Sequence, residues 1–475
     1  MRILTYLALV VSALVGASTS SKALTALDYK GSDVDILGVI DQESNVPAKP
    51  VARVYFAAMQ TNGKWAVFMH DARKNGGDNV KASKLGEFSQ KPDQFVNDRR
   101  KPYFHVPGKG LYTVAKVNGK LKAVKIFNTD PDPSKPMYGL ICWDEGKLAF
   151  AAYNSATGYE PWISNGKKSG TKMLKDVNPG AADSFADSFT GQHSDVGALV
   201  PAKLFFSASN GPVATADGYQ LWVSNGKTDE TFSINVTRQD SDNNNGAGRP
   251  YYLANVNETI FFANSGNDDE DSLELWTSQG SIANTFSLSR TGTNGPSGIS
   301  PYNIVNGALA PLAASSVVAF FAGSDSSGSE LWSATLDFVP SRITNINAAS
   351  SSNISDIVPG NDNGMVYFKA FNGTTYDLYR QFLGVTSVIA GSTGADLRQI
   401  TPASQQLYFV ANNKLRRVEN ISGQETSFEI LDNIDQPIPT PGDLHSAVSP
   451  ASPGLFRLYF VQGDKVSFVD NPTVW

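Results

Sequence analysis

The side chains in this chain that could do chemistry are mostly carboxylates, and they gather in a few loops. Asp217 is followed by Asp240 and Asp242 in Asp240-Ser241-Asp242-Asn243-Asn244-Asn245-Gly246, then by the acidic run Asp268, Asp269, Glu270 and Asp271, and later by Asp325. Clustered carboxylate and amide oxygens are what calcium needs, at roughly six to eight oxygen ligands. Asp240, Asp242, Asp268, Asp269 and Asp271 are the candidate calcium ligands, and no other cofactor is expected. The spacing is not an EF-hand, because the twelfth residue from Asp240 is Tyr251, where a bidentate Glu would be required.

Other chemistries leave weaker traces. The four histidines, His70, His105, His193 and His445, lie far apart with no ligand spacing between them, which argues against zinc. Gln192-His193-Ser194-Asp195 holds the residue types of a catalytic triad, but adjacency in sequence is not triad geometry. A Gly-rich phosphate loop and a Gly-x-Ser-x-Gly elbow are both missing. A glycosidase-type carboxylate pair would be assembled from distant segments and would leave no local motif.

The elements that must position these loops repeat. Glu160-Pro161-Trp162-Ile163-Ser164-Asn165-Gly166, Gln220-Leu221-Trp222-Val223-Ser224-Asn225-Gly226 and Glu274-Leu275-Trp276-Thr277-Ser278-Gln279-Gly280 are each followed by a Thr (Thr171, Thr231, Thr285), and Glu330-Leu331-Trp332-Ser333 is a shorter copy. Each is preceded by an aromatic run, such as Leu148-Ala149-Phe150 or Leu204-Phe205-Phe206. Runs of this kind bounded by Gly, Asn, Asp and Pro read as strands, and a period of about fifty residues is the signature of a β-propeller. The Phe run is strand B and the Trp run strand C. Asn-Gly falls at the C-D hairpin, where positive φ is needed, and Thr171, Thr231 and Thr285 open strand D. Trp162, Trp222, Trp276 and Trp332 recur at one place per unit, which marks them as packing between blades.

The fold class expected is all-β, a single β-propeller of four-stranded antiparallel blades. Eight good strand-B cores and a weak one at Pro102-Tyr103-Phe104 favour eight blades, with seven or nine left open. The last unit, read from Leu455, ends after its second strand, so closure is expected from Leu24 to Ile40. B-C and D-A connections then share one face, and the acidic loops fall on it.

This pattern resembles the Glu-Leu-Trp-x-Ser-Asp-Gly-Thr-x-x-Gly-Thr repeat of the hyalin-like, ELWxxDGT-type propeller proteins. Glu160 to Thr171 carries the resemblance best, keeping Trp162, Ser164, Gly166, Gly170 and Thr171, while Asn165 and Asn225 stand where the family has Asp. Clear copies cover about residues 144 to 335, and Asp377-Leu378-Tyr379 is a decayed one. The resemblance implies a propeller on an extracellular protein and no common enzyme activity.

An apolar run from Ile3 to Val15 after Met1-Arg2 reads as a secretory signal peptide within residues 1–23, with cleavage after Ala17 or Ala23, followed by one domain over 24–475. Sequons at Asn235, Asn257, Asn353, Asn372 and Asn420 fit an exported glycoprotein. No later apolar run is long enough for a membrane span. Removing residues 1–23 leaves 37 basic against 45 acidic residues, which argues against a nucleic-acid partner. A single cysteine, Cys142, forbids an internal disulfide and reads as a buried thiol.

The function expected is a secreted, non-enzymatic propeller at the cell surface, wall or extracellular matrix. It would recognise a glycan or protein through Asp217, Asp240, Asp242, Asp268, Asp269, Glu270, Asp271 and Asp325. A polysaccharide hydrolase or lyase with an acidic mouth, and a self-associating matrix component, are the alternatives.

Overall fold

The computed structural model describes residues 25–42, 51–72, 80–98, 101–128, 134–192, 202–211, 218–234, 236, 249–256, 258–265, 273–288, 300–306, 318–325, 328–335, 340–360, 364–394, 397–403, 406–412, 414–421, 424–429, 445–448 and 455–472. These residues form nine four-stranded antiparallel sheets. Strand A of each sheet packs against strand A of the next around a closed ring, from Ser32–Gln42 of blade 1 to His445–Val448 of blade 9 and back. The protein is a nine-bladed β-propeller. The weak copy is a full blade, blade 2, in which Lys101–Val106 is a complete strand B with Tyr103 and Phe104 fully buried.

Closure differs in detail from the expectation. Blade 9 already owns a strand A (His445–Val448) before Leu455–Gln462 and Lys465–Pro472, so it lacks a single strand. Of the stretch from Leu24 to Ile40, the two residues Thr25 and Ala26 supply that outer strand, pairing with Phe468 and Ser467, while Ser32–Gln42 turns inward as strand A of blade 1. Leu27 and Tyr29 anchor the seam in an apolar cluster with Phe56, Tyr459, Val466 and Phe468. The Tyr29 hydroxyl accepts from the Val466 N–H at 2.9 Å and donates to the Asp464 carbonyl at 3.0 Å. Burial is the main cause that pushes this phenol up to about 12, so it stays a donor.

The repeat residues hold the blades together in a constant way. Each motif Trp lies between its own blade and the preceding one: Trp222 joins the cluster of Trp143, Leu174, Leu204 and Phe206, and Trp332 the cluster of Phe261, Leu288 and Phe321. Trp162 packs against Phe127 of the previous blade, ring centroids 4.8 Å apart and the planes tilted by 47°. Trp222 and Trp332 donate their indole N–H to the carbonyls of Ala208 and Gly323, both at 3.1 Å. Such pairing lets a large aromatic be buried without stranding its polar edge.

In blades 3, 4 and 6 the motif Glu or Gln accepts a hydrogen bond from the chain on its way to the next blade. Glu160 takes the Val177 N–H at 2.7 Å, Gln220 the Val236 N–H at 3.2 Å and Glu330 the Ile346 N–H at 3.3 Å. Asp377 takes the Thr393 hydroxyl, so the decayed copy keeps the same lock. Glu160 is fully buried, and that burial, opposed by hydrogen bonds from Val177, Ser184 and Asn178, pushes its carboxyl up to about 8. Gln220 in the next blade is its permanently neutral counterpart.

The C-D connection is longer than a two-residue hairpin. Ser164, Ser224 and Ser278 each bond the motif Thr seven residues on at 2.7 Å and accept the following Gly N–H at 3.0–3.1 Å. The glycines take positive φ (Gly166 +74°, Gly226 +92°). Asn165 and Asn225 use the side-chain oxygen to accept the Lys167 and Lys227 N–H, each at 3.1 Å, which closes the turn.

Candidate functional site

The inner strand is irregular in blades 1 to 8, whereas His445–Val448 of blade 9 pairs without a slip. In blades 2 to 8 the register between strands A and B slips beside the strand-B Phe, and blade 1 slips at the same level. Gln94, Gly139, Ser188, Tyr252, Asp356 and Gln399 sit in the slip with positive φ between 46° and 67°. A bulge of this kind bends the strand and re-aims the residues around it. The strand-A residue just outside the slip pairs with the residue after the Phe: Asp35, Asp93, Tyr138, Asp187, Tyr251, Tyr302, Ser355 and Arg398. In blades 1 to 8 this register position lies at the end of strand A where the D-A connections arrive and the B-C turns reach.

Blades 3 to 5 turn this position into a tyrosine-lined patch. Tyr138 opens strand A of blade 3 and lies 5.3 Å, ring to ring, from Tyr159, which lies 5.3 Å from Tyr153 across the B-C turn. Lys135 Nζ caps Tyr153 at 3.6 Å. Arg249 at the start of blade 5 sits over Tyr219 of blade 4 at 4.4 Å and over Tyr251 at 5.0 Å, and its guanidinium donates to Asp187 Oδ2. Tyr252, 48 % exposed, extends the aromatic surface outward. A guanidinium held between aromatic faces and a carboxylate loses most of its freedom, so the patch is pre-organised.

Local backbone chemistry fixes the parts. Gly158 has φ +72°, and a Cβ there would meet the Ala182 carbonyl oxygen at 2.6 Å, so glycine is needed to bring Tyr159 around the turn. Asp183 Oδ1 accepts the Tyr159 N–H at 2.8 Å, and the Tyr159 hydroxyl donates to the Pro136 carbonyl at 3.2 Å. Burial, with Asp187 next in importance, pushes the Tyr138 phenol far above its ordinary value, so it remains a hydroxyl. Burial also raises the Asp187 carboxyl, with Arg249 opposing.

Between blades 1 and 2 the same ring position lines an open depression of about 480 Å³ bounded by Asp35, Leu37, Lys91, Asp93, Gln94 and Phe95. Lys91 pairs with Asp35 at 2.8 Å, and Asp93 Oδ1 lies 2.7 Å from Nδ1 of the fully buried His105. The Gln94 carboxamide is spent on blade 3, donating to the Met137 carbonyl and accepting the Leu140 N–H at 3.2 Å. His70 is likewise a core residue, bonded to the Tyr459 hydroxyl at 3.0 Å. Burial pushes the Cys142 thiol up to about 11, which makes it a poor nucleophile.

Among the described residues, no three His, Cys, Asp or Glu side chains converge as a metal site would require. Asp217, Asp240, Asp242, Asp268, Asp269, Glu270 and Asp271 lie outside the described residues, and Asp325 is placed as the last residue of strand B in blade 6, opposite Gly328. The strands that these loops join end at the mouth face. Asn235 and Asn257 also lie outside the described residues, and Asn420 falls on Lys414–Ile421. Asn353 is exposed, whereas the Asn372 carboxamide is spent on Asp377 at 2.7 Å and on the Thr374 and Thr375 N–H groups.

Sequence reasoning passed over the tyrosine patch. Its signal was a departure from the repeat: Gly158-Tyr159-Glu160 and Gly218-Tyr219-Gln220 place Tyr before the motif in two copies, where the others have Leu273 and Ser329.

No family model matches the chain, and no curated protein does. Among solved structures, Porphyromonas gingivalis dipeptidyl peptidase 4 is similar at 8% identity and a TM-score of 0.51, over 91% of this chain and 65% of that one. Saccharomyces cerevisiae Sqt1 is similar at 11% identity over 95% of this chain and 100% of that one, TM-score 0.44. The Dos1 propeller is similar at 10% identity over 95% and 96%, TM-score 0.43. These likenesses concern the propeller fold alone.

Proposed function

We propose that this chain is an exported, non-enzymatic recognition module that binds a glycan at the mouth of blades 3 to 5. The observation that carries the reading is the joint placement of tyrosine faces and the Asp187–Arg249 pair on one face of a rigid ring. Sugar rings present C–H faces that pack on aromatic rings and hydroxyls that pair with planar donor and acceptor groups, and this patch offers both. The acidic loops at 240–242 and 268–271 join strands that end at this face, and calcium held there would extend the binding surface.

Binding of the purified protein to a glycan array, with calcium and with chelator, tests the reading. Saturable binding that is weakened in Tyr252→Ala supports it. Lack of binding in both conditions, or binding indifferent to Tyr252→Ala and Tyr153→Ala together, overturns it.

A further inference from the structure

Charge is spread very unevenly along this chain. From 99 to 129 it carries eight of its 39 basic residues and no acidic one, while the rest of the chain holds 31 against 45. This segment builds strands B, C and D of blade 2: Lys101–Val106, Gly110–Val117 and Lys120–Phe127. Lys101, Lys109, Lys116, Lys120, Lys122 and Lys125 are all exposed. On strand D, the outer edge, Lys120 and Lys122 lie on the side where Ile126 is buried against blade 3, and Lys125 on the side that Leu121 and Ala123 turn to blade 1. Positive charge therefore flanks both sides of the edge over roughly 17 Å, and Lys120 and Lys122 stand about 7 Å apart along the strand, within one Debye length. The turn Lys168–Gly170 of blade 3 packs on this strand, and Lys167 and Lys168 are exposed there.

Nothing nearby offsets these charges. The described carboxylates of blade 2, Asp93 and Asp98, belong to its inner strand, and Asp93 is held by His105. Glu87 on strand D of blade 1 is taken by Lys84, and Asp144 of blade 3 by Lys147. The adjoining segments outside the described residues carry Arg73, Lys74, Arg99 and Arg100 against Asp78, Asp130 and Asp132, which leaves the sign unchanged. On blade 8, by contrast, Lys414 and Arg416 meet Glu429. Lysines on an edge strand blunt aggregation, but that role calls neither for Lys109 in the B-C turn nor for Lys167 and Lys168 on the next blade. Val117 is the only large apolar side chain exposed on this blade among the described residues. The wall thus lacks both the apolar wedge that suits a membrane and the stacking faces that suit a nucleic acid. Ammonium groups are compact point charges, suited to anions spaced along a chain. We infer that the outer wall of blade 2 binds a linear acidic polysaccharide, its carboxylate or sulfate groups lying along the row of lysines, at a site separate from the mouth.

The test is binding of the purified protein, at rising salt, to heparin, polygalacturonate, duplex DNA and vesicles of equal parts phosphatidylserine and phosphatidylcholine. At least one of the two polysaccharides is expected to bind saturably and in preference to the DNA and the vesicles. A triple variant, Lys120→Gln, Lys122→Gln and Lys125→Gln, is expected to weaken that binding about tenfold or more and to make it less dependent on salt, because fewer counterions are released. A second triple variant, Lys227→Gln, Lys369→Gln and Lys414→Gln, removes the same charge from other blades and is expected to change affinity by less than about twofold. In the wild type, bound polysaccharide is expected to protect Lys120, Lys122 and Lys125 from acetylation and to leave Lys227 and Lys414 reactive, a readout that needs no variant. Preference for DNA or vesicles, no binding to either polysaccharide, equal losses in the two triple variants, or no protection on blade 2 overturns the proposal. Tyr252→Ala, at the mouth, is expected to leave this binding unchanged, so the two sites fail independently.

Discussion

Replacing Glu160 by Gln should flatten the pH dependence of stability. Glu160 is fully buried, and its carboxyl sits at about 8 against 4.5 for an ordinary glutamate. The folded value is raised, so the folded state holds the proton more tightly than the unfolded chain does. This contribution is fully present below pH 4.5 and is lost as the pH rises towards about 8. Linkage over those two values gives a loss of about 3 kcal/mol between about pH 5.5 and pH 8.5. Gln is neutral throughout and can accept the Val177 N–H as Gln220 accepts that of Val236. Urea unfolding of wild type and Glu160→Gln across this range measures the effect, and subtracting the two curves removes every other titrating group. The wild type should lose stability relative to the variant as pH rises. A difference that stays flat, or that favours the wild type at high pH, refutes the reasoning that burial keeps this carboxyl protonated.

Ser224→Ala leaves Thr231 and the Gly226 N–H without their shared partner in a buried turn, and should cost about 1–3 kcal/mol in denaturant unfolding, with Thr231→Val non-additive. Leu27→Ala, in the seam between the termini, should cost about 2–4 kcal/mol and raise hydrogen exchange first at Lys465–Pro472. Gly158→Ala forces a Cβ against the Ala182 carbonyl at positive φ and should destabilise by about 1–3 kcal/mol while also weakening glycan binding, because Tyr159 is displaced.

The aromatic strand cores and the Glu-x-Trp-x-Ser-Asn-Gly unit made the blades legible, because each blade must bury the same face against its neighbour. The faint copy at Pro102-Tyr103-Phe104 hid one of the nine blades, since it lacks the Trp that marks blades 3 to 6, although Tyr103 and Phe104 pack as fully as any other pair. The closing seam was blurred because Thr25 and Ala26 contribute backbone pairing and little side-chain pattern. Site residues were harder to see for a geometric reason. Tyr138, Asp187 and Arg249 meet only because three strand ends converge at the mouth, and each looks like an ordinary residue within its own strand. The acidic loops drew the eye by local density, whereas the patch is made by register.

The measurement that bears most directly on the account is titration of the protein with an oligosaccharide, comparing wild type with the Tyr159→Ala/Tyr252→Ala double variant. Saturable binding that weakens at least about tenfold in a double variant that still folds is the predicted result. Equal affinity in both proteins, or no heat of binding in the wild type, would contradict the assignment of the tyrosine-lined mouth as the recognition site.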